Sequence, residues 1–139
     1  NDVSAKPLIA KGVARRPGGS FILHAIDMVT DQSGDIQTSQ FKVWLYRIPR
    51  IPAIADNAAP TGLFSLPLLR GLDYLDDILL PAVVAIPGGT ANIAHISDIA
   101  RTFSCAPGSK DMPFEIQILS ALTPGSSAKF FINFHVTKL

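Results

Sequence analysis

Apolar and polar residues alternate with period two along much of this chain, the signature of half-buried strands. In KFFINFHVTK, Phe130, Ile132, Phe134 and Val136 fall on one face, and Asn133, His135 and Thr137 on the other. FEIQILSAL sets Phe114, Ile116 and Ile118 against Glu115 and Gln117. The turn signal TPGSSA lies between these runs, so residues 114–137 predict a β-hairpin. FKVWLYRI alternates Phe41, Val43 and Leu45 with Lys42, Trp44 and Tyr46. Both of its faces carry bulk, so both are expected to be covered. SFILHAIDMV from Ser20 predicts another strand, joined to Phe41 by the polar DQSGDIQTSQ. PAVVAI, from Pro81 to Ile86, is a short continuous apolar run that predicts a buried strand.

The punctuation between strands repeats. Pro-Gly followed within two residues by Ser or Thr occurs at Pro17, Pro87, Pro107 and Pro124. Proline fixes one φ and glycine is free to take a positive one, as a type II turn requires. A phosphate-cradling loop also uses glycine, and TANIAHISDIARTF after Gly89 allows a helical spacing of Ile93, Ile96, Ile99 and Phe103. It lacks the Gly-Lys-Ser/Thr such a loop needs, so these are turns. PLLRGLDYLDDILLP has leucines near helical spacing, but Gly71, Pro67 and Pro81 limit it to one short helix or a turn-rich crossover. The sum is an all-β chain, a β-sandwich or jelly-roll-like single domain with at most one short helix.

Composition narrows the function classes. With 139 residues there is room for one domain with a real core. Only 17% of residues are charged while 47% are hydrophobic, which suits a dense β core or surface buried between subunits. A net charge of +1 gives no reason to expect nucleic-acid binding. No apolar run approaches the roughly 20 residues of a helical membrane span. The start NDVSAKPLIAKG has no signal-peptide core, so synthesis in a reducing cytoplasm is expected.

Candidate chemistry is sparse. Cys105 is the only cysteine, which excludes an internal disulfide and a multi-cysteine metal site. A buried, inert thiol is its ordinary role. His24, His95 and His135 are far apart in sequence and show no paired ligand spacing. Asp73, Asp76 and Asp77, and Asp31 with Asp35, lack the alternating oxygen ligands of a calcium loop. No cofactor, metal or catalytic set is therefore expected, and a small hydrolase using Cys105 or an aspartate pair has no supporting motif.

Cations gather at the start, where Lys6, Lys11, Arg15 and Arg16 face only Asp2 within the first twenty residues. Residues 1–16 could be an extended basic arm on an acidic surface, ahead of a sandwich domain over 17–139. The alternative is a first edge strand guarded by charge.

The stretch VWLYRIPRIPAIADNAAP, Val43 to Pro60, leaves a strand through two prolines and turns at Asp56-Asn57. Neither proline can donate a ladder hydrogen bond, and Asx side chains bond the backbone of a turn. This pattern resembles small structural proteins of tailed bacteriophages, in which a Pro-containing kink is followed by Ala-Asp-Asn-Ala-Ala. The resemblance continues through ILHAIDMVTD, LDYLDDILLPAVVAIP and the closing LTPGSSAKFFINFHV, covering most of residues 20–138 in order. It departs at Pro52, which is extra, and at Pro60, where the family often has an aromatic residue.

The resemblance implies a virion structural protein that decorates or cements the capsid. Its partners would be the major capsid protein and itself, in a symmetric oligomer such as a homotrimer on the outer surface of the head. The expected partner-binding set is Lys6, Lys11, Arg15, Arg16, Arg47, Arg50, Asp56 and Asn57. The alternative is a tail or adhesion module binding host polysaccharide, for which an aromatic-rich surface would speak.

Overall fold

The computed structural model describes residues 8–31, 40–48, 74–88, 91–119 and 129–139. The chain is all-β, two antiparallel sheets forming a sandwich, with no helix among the described residues. The strands are β1 (Leu8–Ala10), β2 (Ser20–Thr30), β3 (Phe41–Tyr46), β4 (Tyr74–Leu79), β5 (Val84–Ala85), β6 (Asn92–Ile96), β7 (Arg101–Ser104), β8 (Met112–Ile118) and β9 (Phe130–Lys138). The first sheet has the order β1-β8-β3-β4. In the second, β6 pairs with residues 26–30 of β2 and β7 with residues 20–23, so these two strands share one edge of β2. β9 runs along the other edge, from Phe21↔Lys138 to Thr30↔Phe130.

The inward faces are the apolar sets that alternation picks out. Phe21, Leu23, Ile26 and Met28 of β2 oppose Phe41, Val43 and Leu45 of β3 and Met112 and Phe114 of β8, all buried. Each such side chain contributes about 1.5–3 kcal/mol on leaving water, the main force holding the sheets together. Aromatic pairs bridge the layers: Phe114 meets Phe134 edge-on at 4.8 Å, and Phe41 lies 6.3 Å from Phe130.

That bridging corrects the expected hairpin over 114–137. β8 pairs with β1 and β3, β9 pairs with β2, and the two strands face each other across the core. Two apolar faces on consecutive strands are buried as well by facing as by lying side by side. The leucine-rich Tyr74–Leu79 stretch is a strand, not a helix, because it completes a ladder with β3 from Lys42↔Leu79 to Tyr46↔Tyr74. β5 is exposed rather than buried, with Val84 58% accessible. The Pro-Gly turns are present at three described sites, Pro17, Pro87 and Pro107, with Gly88 at φ 77°. Gly18 and Gly108 have φ of 68° and 83°, and the residue after each donates back to Arg16 and Ala106 respectively.

Of the segment expected as an arm, residues 8–16 are tied into the fold. Leu8–Ala10 pairs with β8 at the sheet edge, Val13 and Ala14 are buried in the core, and Ala14 N–H donates to Lys110 O at 3.2 Å. Over Leu8–Ala10 this is the alternative of a first edge strand guarded by charge. Residues 1–7 lie outside the described residues.

Candidate functional site

β2 carries a bulge at His24: Leu23 pairs with Val136, and the next registered pair is Ala25↔His135. The extra residue reverses which side chains face the core. Phe21 and Leu23 point inward before it, Ile26, Met28 and Thr30 after it, and Asp27 turns to the outer face. On that face Asp27 lies between β6 and β9, opposite His95 on one side and Asn133 on the other.

The result is a three-strand cluster. One Asp27 oxygen, Oδ1, bonds His95 Nδ1, and the other, Oδ2, bonds His135 Nε2 at 2.6 Å. The hydrogen bond from His95 is the largest influence on Asp27 and holds its carboxyl below the usual value; partial burial opposes this, and His135 adds to it. His24 joins the same face through Nε2 to Thr137 Oγ1 at 2.8 Å. Each imidazole takes a different oxygen, so the two ring nitrogens straddle the carboxylate. Among the described residues no group of three or more His, Cys, Asp or Glu could hold a metal ion.

A second feature adjoins it. Two residues further along the ladder, Val84, Ile93, Val29 and Phe131 form a row across β5, β6, β2 and β9. All four point outward, with Val84 58% and Phe131 57% exposed. An apolar row beside a polar row of His, Asp and Asn suits contact with a macromolecule more than it suits bond-making. Cys105 is buried in the core, and burial followed by Asp111 pushes its thiol pKa up, which favours the unreactive thiol.

The residues expected to bind a partner do not converge on this face. Lys11 pairs with Asp111 at 3.4 Å, an aspartate held below its usual pKa chiefly by the Gly12 N–H at 2.8 Å. Arg15 Nε donates to Lys138 O at 3.0 Å, at the end of β9, and Arg16 is exposed. Arg47 is half-buried, with a buried Nε that has no hydrogen-bond partner among the described residues. Lys6, Arg50, Asp56 and Asn57 lie outside the described residues. Asp27, His95 and His135 escaped the sequence reading as a group. Outward parity marked His135, but nothing local to the sequence signals the bulge that turns Asp27 out. No protein-family model matches the chain, and neither the curated proteins nor the solved structures yield a match.

Proposed function

We propose that this chain is a structural protein of a tailed-phage virion, a decoration or cement protein bound to the outer surface of the major capsid protein lattice. It is made in the bacterial cytoplasm and joins the head as a symmetric oligomer, a homotrimer by the resemblance. The ordered likeness over residues 20–138 and the all-β sandwich support this reading. The single structural observation behind it is the outward apolar row of Val84, Ile93, Val29 and Phe131, ready to be buried against a partner. Many weak copies of such a contact hold a shell through multivalency.

Co-sedimentation with heads that lack the protein tests the proposal. Wild type is expected to pellet with the heads, and Val84→Asp to bind at least tenfold more weakly, since burying a valine is worth about 1.5–3 kcal/mol. Val84 is already solvent-exposed, so the variant should keep its circular dichroism. Wild type remaining in the supernatant, or labelling on tails rather than heads, would overturn the assignment.

A further inference from the structure

We infer that the free edge of β9 is an interface with a second copy of this chain, forming one continuous sheet through two antiparallel β9 strands. The inference concerns a different surface from the decoration reading, the strand edge rather than the outer face, and its two-fold contact makes a dimer in place of the homotrimer that the resemblance implies.

β9 is nine residues long, pairs on one side with β2, and has no ladder partner on its other side among the described residues. A row of unpaired N–H and C=O groups is a template for another strand unless it is blunted. The other outer strands are blunted. β1 has three residues and is followed by Lys11; β5 has two, between Pro81 and Pro87; β7 has four and opens on Arg101; β4 carries Asp76 and Asp77. β9 has neither a proline nor an acidic residue, and its only charge is the terminal Lys138.

Its inward side chains also remain unfinished. Phe130, Ile132, Phe134 and Val136 pack on the core yet are only half-buried, whereas Phe21, Leu23, Ile26 and Met28 of adjacent β2 are at most 1% exposed. Another strand alongside β9 would cover that row.

The second copy is the occupant because β9 is its own complement. Antiparallel pairing about a two-fold axis at Phe134 engages residues 131–137, short of the Lys138 carbonyl that Arg15 already holds, and keeps each side chain on its face. Phe134 then meets Phe134 of the second copy, Ile132 meets Val136, and Asn133 meets His135. Over residues 132–136 apolar lies against apolar and polar against polar; beyond them Phe131 meets Thr137, and no like charges are directly opposed. The contact is isologous and closes at two chains.

Sedimentation of the whole chain at micromolar concentration should show a reversible species of twice the 14.9 kDa chain mass. Asn133→Lys sets a cation against His135 of the second copy, twice per dimer, and should weaken association about tenfold or more. Asn133→Gln should retain the dimer, and so should Val84→Asp at the far edge of the sheet. Oxidation gives a readout separate from the lysine variant's own folding. Asn133→Cys mixed with His135→Cys should yield a linked pair, while Asn133→Cys alone should not, because diagonal neighbours lie about 7–8 Å apart. A monomer at all concentrations, a three-chain species indifferent to Asn133→Lys, or no linkage in the mixture would overturn the pairing. A dimer that never binds heads would leave it standing and sink only the decoration reading.

Discussion

The two outer faces of the sandwich are built from similar strands and end differently. On the first sheet, Trp44, Tyr46 and Glu115 point away from the core and are nevertheless at most 7% exposed. Their polar atoms are engaged: Trp44 Nε1 donates to Gln117 at 3.0 Å, and Tyr46 OH to Glu115 at 3.4 Å. Tyr74 OH donates to Asp77 at 2.5 Å, and burial first, then that carboxylate, drives its pKa far above the usual tyrosine value. Lys42 pairs with Asp77 at 3.3 Å and lies 5.2 Å over the Trp44 ring. The second sheet's outer face instead holds exposed imidazoles around Asp27 and an open apolar row. Burial of aromatic bulk makes one face structural. Exposure leaves the other free to act.

The sharpest way to break this contrast is to truncate one aromatic on each face. Trp44→Ala should cost about 3–5 kcal/mol, because a buried indole loses its packing and Gln117 loses its donor. Phe131→Ala should change folding stability by under about 0.5 kcal/mol, as surface substitutions do. Urea denaturation of both variants measures the difference. Equal losses would mean that the outer face of the second sheet is covered too.

Next in size is the acid response of Asp27. Its folded pKa lies below the unfolded value, so its contribution is fully present above the unfolded value of about 4 and fades as pH falls through the folded one. The unfolded state binds more protons in that window, so stability rises with pH there. Asp27→Asn should lower stability at pH 6 by no more than about 1 kcal/mol, the range of exposed pairs. The gap from wild type should narrow as pH falls below about 4 and through the folded pKa. A gap that persists in acid would show that Asp27 acts by shape rather than charge.

The two faces were unequally legible in the sequence. Bulk on both sides of FKVWLYRI announced a strand covered twice, and Trp44 and Tyr46 are buried as that implied. Alternation in KFFINFHVTK gave the orientation of β9, with Phe134 inward and His135 outward. Period two carries no information about which strand pairs with which, so the sheet-to-sheet crossing of β8 and β9 read as a hairpin. Near-helical leucine spacing in β4 yielded to its ladder with β3. Asp27 was hidden most deeply. Counted from Phe21 and Leu23, strict alternation sends it into the core, and only the bulge at His24 brings it to the imidazoles of two distant strands.

That bulge has a counterpart whose alteration should produce the smallest effect. Between β6 and β7, residues 97–100 step around the bulge, and Ile99 N–H donates to His24 O at 3.0 Å, which lets both strands share one edge of β2. The step forces Asp98 and Ala100 to φ of 60° and 48°. Aspartate tolerates this region, but alanine does not, at a cost of about 1–2 kcal/mol. Ala100→Gly removes that strain and loses about 0.4–1 kcal/mol through the freer unfolded chain. Strain relief is the larger quantity, so the variant should gain roughly 0.5 kcal/mol, or about 2 °C in melting temperature. A lower melting temperature would mean that Ala100 is not held left-handed in solution. The bulge at His24 would then have to be stabilised from the β9 side alone, and the outward turn of Asp27 would depend on β9 rather than on the shared edge.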